Sequence, residues 1–567
     1  MLFRSLKAGQ GQIQYEDGTP AVYKWKKFLC FESKHGQCLI NALRDYHFDI
    51  RRKDNLSFVS DISDKNDSVY LKVKLFTTEL DNKVPLSSVL YFKNAVSETP
   101  EPVCRSVCKQ TSDGIYTDFK FTLADEEITK NLFQNAHDFY VDYDFGDKTI
   151  TTSLYIDTNY DYSYQAKLYD YRVYRSKYGT LRVQSKMKWS KNEDTFAKRL
   201  ALADTKYKWY RHLPIKKKRI MFESMWGSKY SCNPRYLYEY INEHHPDYEC
   251  IWSLKDEHIP IRGNGKRVRR FSLKYYYYLA TCKYFVNNVN FHDHYVKRKG
   301  QVEIQTMHGT PLKTLGLDVP GDFPTKKREE DYIKKCNRWD YLTVQSEFVA
   351  DISKQCFLFQ KDFLKVGYPR TDILYTKNNN SDIQNLKKKM GLPLDKKIIL
   401  YAPTWRIKNS FELMLNLDAF KAALSDEYIL ILRLHHFSVA GWTQPEQDDF
   451  VYDLSMYDSV EELYLVSDIL ITDYSSVMFD YSILNRPIIL FTYDMEEYRD
   501  KLRGFYIDIE ADKPGPILYT SRDVLKAIVD IEETEKEYYK FRQAFRQKFI
   551  PYECANSAEK IFDEVIQ

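Results

Sequence analysis

Two kinds of hydrophobic pattern divide the chain. In its first part apolar and polar positions alternate: Leu71, Val73 and Leu75 with Lys72 and Lys74, then Phe119, Phe121 and Leu123 with Lys120 and Thr122. A period of two marks antiparallel strands with one face in water. Asp113-Gly114 and Phe145-Gly146-Asp147 punctuate them as turns. Residues 1–165 are therefore expected to form a β-rich N-terminal domain, and no chemistry can be named in it. Residues 166–215 are basic and aromatic and are expected to be a partly helical linker. Ala197 to Tyr210 has helical spacing and carries Lys198, Arg199, Lys206 and Lys208. Two readings of that stretch stand side by side: a surface that rests on anionic lipid, or a solvated linker helix.

After residue 215 the pattern changes to short continuous apolar runs between helical stretches. They are Ile220-Met221-Phe222, Cys250-Ile251-Trp252, Tyr284-Phe285-Val286, Val302 to Met307 and Tyr341 to Val344. A second series is Ile398 to Tyr401, Tyr428 to Leu432, Ile469-Leu470-Ile471 and Ile488 to Phe491. Strands buried on both faces read this way, and their alternation with helices means parallel sheets. The prediction is an α/β chain with two doubly wound domains in tandem, 216–377 and 378–567, the second carrying C-terminal helices.

Composition narrows the picture. At 567 residues the chain exceeds what one core supports, and three units are expected. A charged fraction of 29% against 43% hydrophobic fits a globular protein. The net charge of +4 makes no case for nucleic acid, although Lys216 to Arg219 is a basic run. None of the ten cysteines forms a CxxC pair, so neither zinc nor a disulfide framework is expected, and a reducing cytoplasm fits. The start lacks a signal peptide's apolar core, and no apolar stretch reaches a membrane span. Membrane contact is expected to be peripheral. The 47 tyrosines suit polyol or membrane-interface contacts, or ordinary half-buried packing.

Candidate chemistry gathers at predicted strand ends, where open α/β sheets bind ligands. His308 opens His308-Gly309-Thr310-Pro311, with Lys313 close behind. Gly309 lets the backbone turn, and an imidazole there can take a proton near neutral pH. Phe222-Glu223-Ser224 with Ser231-Cys232-Asn233-Pro234 is a weaker strand-to-helix signal for an anion. In the second series, Thr404 and Arg406 follow one strand, Arg433-Leu434-His435-His436 the next, and Thr472-Asp473-Tyr474-Ser475-Ser476 the third. Arg, His and Ser converging without a carboxylate dyad suit a diphosphate, with Ser475 and Ser476 able to cap the following helix. Asp480 and Glu496 are ribose candidates or ordinary helix residues. No Walker loop or kinase signature is present.

These residues carry a family resemblance across roughly residues 216 to 550. Phe222-Glu223-Ser224, Gln305 to Lys313, Gly367-Tyr368-Pro369-Arg370-Thr371-Asp372, Tyr401 to Arg406, Arg433-Leu434-His435, Thr472 to Ser476 and Arg503-Gly504-Phe505-Tyr506 follow in order. The chain resembles the CDP-glycerol glycerophosphotransferases that build teichoic-acid and capsule backbones. The resemblance implies a GT-B-like fold, with two Rossmann-like domains facing a cleft.

It further implies transfer of glycerol phosphate from CDP-glycerol to the terminal hydroxyl of a lipid-linked glycerol-phosphate acceptor, with release of CMP. His308 and His435 would be catalytic. Gly309, Thr310, Lys313, Thr404, Arg406, Arg433, Asp473, Ser475, Ser476 and Asp480 would bind substrate. No cofactor or metal is required on this reading. Partners would be CDP-glycerol, the acceptor and the anionic cytoplasmic face of a bacterial membrane, with Lys274 to Tyr278 as one contact. Alternatives are a ribitol-phosphate or UDP-sugar transferase of the same fold, and a non-catalytic scaffold in envelope assembly.

Overall fold

The computed structural model describes residues 190–567 except 258, 405–412, 435–448, 456 and 496–503. Of the first 189 it describes 23–25, 28–33, 36–42, 48–52, 55–65, 68–77, 84–92, 102–112, 114–124, 136–146, 148–156, 158–166, 169–176 and 179–189. The chain divides into two compact units, 1–189 and 190–567.

The first unit is built of strands, a four-stranded sheet over 23–52 and an eleven-stranded sheet over 55–187. The predicted alternation is realised in register. Strands Ser68–Thr77 and Gly114–Thr122 pair antiparallel, with Leu71 opposite Phe119 and Val69 opposite Phe121. Those four side chains are buried together, while Lys72 and Lys120 face outward. One expectation needs correction. Tyr169–Arg175 and Leu181–Met187, read as part of a helical linker, are antiparallel strands of the larger sheet. Tyr171, Val173, Leu181 and Val183 point into its core, and β-branched and aromatic residues at alternate positions favour that pleated surface over a helix. The helical part of the segment starts later, at Phe196–Leu202, and runs on to Tyr210.

The second unit holds two parallel sheets. Across the first the strands run Lys266–Arg269, Glu249–Leu254, Lys216–Glu223, Cys282–Asn287, Val302–Gln305, Tyr341–Thr343 and Asp362–Leu364. Across the second they run Val451–Asp453, Tyr428–Leu432, Lys397–Tyr401, Ile469–Thr472, Ile488–Phe491 and Ile517–Leu518. In chain order both read 3-2-1-4-5-6, the doubly wound order, and the first sheet adds a seventh strand. The order reverses between the first and fourth strands, which leaves a crevice at their carboxyl ends. Ile220, Met221, Phe222, Ile251 and Trp252 are all buried, as central strands covered on both faces require.

The chain ends by returning to the first sheet. Helix Ile531–Phe549 packs Phe545 and Phe549 against Phe479, beside the second sheet. Ser557–Ile561 and the turn after it then place Ala558, Ile561, Phe562 and Ile566 in one core with Leu237, Tyr238 and Ile241. Asp372 caps this returning helix by accepting from the amides of Ser557 and Ala558, both at 3.0 Å. Phe562 stacks on His245 at 3.6 Å between ring centres.

Lys274 to Tyr278 also needs correction as a membrane contact. Tyr275 and Tyr276 are core residues of helix Leu273–Thr281, while Tyr277 and Tyr278 lie over the guanidinium of Arg219. Tyrosines on a helix that covers a sheet fill the core before they can reach lipid.

If the returning segment is part of the first sheet's core, Phe562→Ala will destabilise it by about 3–5 kcal/mol. Chemical denaturation, with limited proteolysis of the C-terminal segment, reads this directly.

Candidate active site

The site grows from the carboxyl edges of the two sheets. Strand Val302–Gln305 ends at Thr306 and Met307, just before His308. Met307 has a left-handed backbone, φ 52°, a conformation that costs a residue with a Cβ about 1–2 kcal/mol. Three bonds hold it there. Asn233 Nδ2 donates to the carbonyls of Thr306 at 2.7 Å and Met307 at 2.9 Å. The Met307 amide donates to Gln305 Oε1 at 3.0 Å. The same Asn233 accepts from the Arg370 amide at 3.2 Å. Asn233 opens the helix Cys232–His244 from a fully buried position, so the Asn-Pro signal marks a brace for the histidine loop rather than an anion cradle.

His308 stands exposed at the carboxyl edge of the first sheet. Protein surrounds the ring, yet its surface still reaches solvent. Its Nδ1 lies 2.9 Å from the carbonyl of Asn288. A carbonyl only accepts, so Nδ1 carries the proton and Nε2 keeps its lone pair. Crowding by the surrounding protein holds the pKa below the ordinary imidazole value, against the Asn288 bond, and the charge of Arg370 adds to the depression. Asn288 is itself fixed. Its Nδ2 donates to Ser224 Oγ at 3.1 Å, and its Oδ1 accepts from the Met225 amide at 3.0 Å. Met225 and Trp226 are both left-handed, φ 47° and 53°. Strained backbone therefore clusters at the ends of two strands that flank Cys282–Asn287, beside one histidine.

The second sheet meets this edge at Gly309. A Cβ there would lie 3.0 Å from Ser476 Oγ, so the absent side chain is what lets the two edges approach. Ser475 and Ser476 stand just before helix Val477–Ser482 and are partly exposed. Their capping is weaker than expected: Ser476 makes no side-chain cap bond, and Ser475 Oγ accepts from the Val477 amide at 3.5 Å. Asp473 is buried and accepts from the Thr404 amide at 2.8 and 3.0 Å, bridging the second sheet's switch point. The backbone of Lys313 pairs antiparallel with Phe505, and bonds at Thr314–Gly504 and Tyr506–Leu312 continue that ladder. Thr310 is buried, its hydroxyl donating to Gln345.

Two expected ligands already hold structural partners. Asp480 is buried and faces Arg370 Nη2 at 2.8 and 2.9 Å, so it does not open toward a ribose. Burial pushes its pKa up to about 6 although Arg370 opposes the shift. Arg433 turns Nη1 onto the carbonyls of Leu454, Ser455 and Tyr457 at 3.0, 2.6 and 2.5 Å. Those bonds fix its direction and leave the remaining guanidinium nitrogens for other partners. Arg406, His435, His436 and Glu496 lie outside the described residues.

Sequence reasoning missed Asn288, Gln345 and Lys229. Asn288 follows a strand at the switch point, and that position was the available signal. Lys229 follows the Met225–Gly227 turn. Surrounding protein and then the charge of Arg433 hold its ammonium below the ordinary lysine range, with Asp458 opposing. Among the described residues no group of three or more His, Cys, Asp or Glu side chains could hold a metal ion.

Two parallel sheets of Rossmann order, with a basic imidazole and two serines brought to one crevice, describe a transferase of the α/β class. The comparisons make this specific: the chain belongs to the CDP-glycerol:poly(glycerophosphate) glycerophosphotransferase family, whose model matches residues 205–567. It is similar to a teichoic acid poly(glycerol phosphate) polymerase of Bacillus spizizenii, 40% identical over 62% of this chain and 93% of the relative. A teichoic acid glycerol-phosphate transferase of Staphylococcus aureus is 39% identical over 64% of this chain and 96% of the relative. The match to the Bacillus subtilis polymerase is 39% identical and spans 49% of that longer protein. Among solved structures, the wall teichoic acid polymerase TagF aligns at 34% identity with a TM-score of 0.60, over 64% of this chain and 93% of that one. A TagF variant soaked with CDPG aligns at 35% identity with a TM-score of 0.61, over 65% of this chain and 92% of that one.

The imidazole of His308 will titrate below about 6.5 and be neutral at pH 7. Because its folded value is the depressed one, stability is retained above that range and falls as pH drops from the unfolded value toward the folded one. Histidine-labelled NMR, with His308→Gln to assign the resonance, measures the value. A midpoint at or above the ordinary one would contradict this reading of the site.

Proposed function

We propose that the chain transfers glycerol phosphate from CDP-glycerol to the terminal hydroxyl of a membrane-linked acceptor, releasing CMP and extending a poly(glycerol phosphate) teichoic acid or capsule backbone. The observation that carries this is the Nδ1–Asn288 bond of His308, which leaves Nε2 basic beside Ser476 in a crevice between two sheet edges. In the reaction the acceptor oxygen attacks the phosphorus that bears glycerol. A new P–O bond forms, the bridging P–O bond breaks, and CMP leaves with its electron pair. His308 Nε2 takes the hydroxyl proton.

Charge on the departing phosphate is met from the second sheet by Ser475, Ser476, Thr404 and Arg433, with Arg406 and His435 carried over from the family motif. Gly309, Thr310 and Lys313 hold the loop on the first side, and Asp473 holds Thr404. Preorganised donors of this kind supply the largest share of phosphoryl-transfer catalysis. On this reading 216–377 is the acceptor-side domain and 378–567 the donor domain of a GT-B arrangement.

No helix among the described residues is long and apolar enough to cross a membrane. Approach to a lipid-linked acceptor is assigned to the surface at 196–217. There Phe196 and Trp209 are 51% and 62% exposed among Lys198, Lys206, Lys208, Lys216 and Lys217. Aromatic rings flanked by lysines suit an anionic cytoplasmic membrane face.

His308→Ala is expected to lower kcat for CMP release by about 10²–10⁴-fold while CDP-glycerol binding stays within a fewfold. Activity near wild type would sink the base assignment. Substituting Phe196 and Trp209 together by alanine is expected to cut sedimentation with phosphatidylglycerol vesicles at low salt several-fold and to leave turnover of a soluble primer unchanged. Unaltered vesicle binding would remove this surface from the reading.

A further inference from the structure

The loop that carries His308 is tied to a residue far along the chain. Gln345, fully buried just after strand Tyr341–Thr343, has its whole amide engaged. Its Oε1 accepts from the hydroxyl of Thr310, and its Nε2 donates to Glu553 Oε1. Its backbone carbonyl accepts from the Tyr552 amide at 3.0 Å. One residue thus joins the histidine loop to the segment through which the chain returns to the first sheet.

Glu553 is the far anchor, and its bonds can be counted. Oε1 accepts from Gln345 and, at 3.2 Å, from the Tyr368 amide. Oε2 meets the hydroxyl of Thr371, which also lies 2.6 Å from the Tyr368 carbonyl. A hydroxyl has one proton to give, and a carbonyl only accepts. If Thr371 donates to Tyr368, its contact with Glu553 needs a proton on the carboxyl. A protonated Glu553 donating to Thr371 completes both bonds.

The surroundings favour the same state. Gly367 packs so closely that a Cβ there would lie 2.9 Å from the Glu553 carboxyl carbon. The ionisable groups around it are Asp480 from the second sheet's side, Tyr368, Asp372 and Tyr375 from the 368–375 segment, and the neighbouring Cys554. Burial pushes the pKa of Glu553 up to about 8. Thr371 and Gln345 oppose that, while Asp480 and Asp372 add to it.

We infer that Glu553, as a neutral carboxylic acid acting through Gln345, is a positioning residue for the His308–Thr310 loop. Ionisation would place a half-buried negative charge beside Asp480, reverse the bond to Thr371 and loosen the anchor of Gln345. The loop would then hold His308 in register less well as pH rises. This rests on the proposed role of the His308 loop, so wild-type turnover is the reference for every arm of the test.

The experiment measures CMP release from CDP-glycerol with a lipid-linked primer, from pH 6 to 9.5, for wild type, Glu553→Gln and Glu553→Ala. Glutamine keeps an acceptor for Gln345 and a donor for Thr371. It is expected to retain kcat within a fewfold and to abolish a fall seen in wild type above about pH 8. Alanine is expected to lower kcat by roughly 10²-fold, the cost of about 1 Å of misplacement, with KM for CDP-glycerol within a fewfold. Thermal unfolding gives a readout without turnover. A carboxyl whose folded pKa exceeds its unfolded one stabilises below the unfolded value, about 4.5, and that contribution is lost as pH rises through about 8. The wild type should lose stability over that window relative to Glu553→Gln, whether or not the alanine variant folds. Glutamine as damaging as alanine, or an alkaline fall that persists in Glu553→Gln, overturns the inference. Absence of CMP release by the wild type overturns the proposed function instead.

Discussion

The guanidinium of Arg370 closing on Asp480 is the contact on which the rest of the second unit depends. Nη2 lies 2.8 and 2.9 Å from the two carboxylate oxygens, and Nη1 lies 3.8 Å from Glu461. Arg370 belongs to the segment after the first sheet's last strand, whereas Asp480 and Glu461 stand beside the second sheet. All three are buried. Burying such a pair is costly, and its net contribution to stability is small. Removing one partner leaves an unpaired buried charge and costs about 3–5 kcal/mol. The pair therefore acts as a register pin between two sheets more than as a source of stability. Its backbone amide engages Asn233, which holds the carbonyls of Thr306 and Met307, and its charge helps keep His308 neutral.

From that pin the strain at the site becomes intelligible. Met225, Trp226 and Met307 have left-handed backbones, and each is held by a buried polar neighbour or adjoins one that is. Released from Asn233 and Asn288, these turns would relax toward ordinary conformations and carry His308 away from Ser476. Strain and brace are two sides of one arrangement: the brace tolerates conformations that bring side chains to the crevice, and the crevice is where they are needed.

The sequence patterns show why some of this was legible and some was not. Runs such as Ile220-Met221-Phe222 and Ile398 to Tyr401 announce strands covered on both faces, and their alternation with helices announces parallel sheets. Residues at the ends of those strands were legible for the same reason: His308, Thr404, Asp473 and Ser476 stand where the topology brings side chains to an edge. Leu181 to Met187 does carry the period-two alternation of a strand and pairs on both sides, with Tyr169–Arg175 and Ala136–Asp144; the basic and aromatic composition of the residues around it hid that pattern. Asp480 was misread because a carboxylate's partner decides its role, and Arg370 lies 110 positions away. Glu553 carries no local signal at all. Its place is set by the chain crossing back to the first sheet, which no window of sequence records.

A base that works beside a phosphate site faces conflicting demands. The cations that hold a diphosphate lower the pKa of any nearby imidazole, and a less basic imidazole takes a proton less readily. Neutrality must nevertheless be kept, since an already protonated ring cannot act as a base. On the proposed reading of His308, separate contributions answer the two demands. Crowding and Arg370 keep His308 unprotonated, while the Asn288 carbonyl pulls the other way and restores basicity to Nε2.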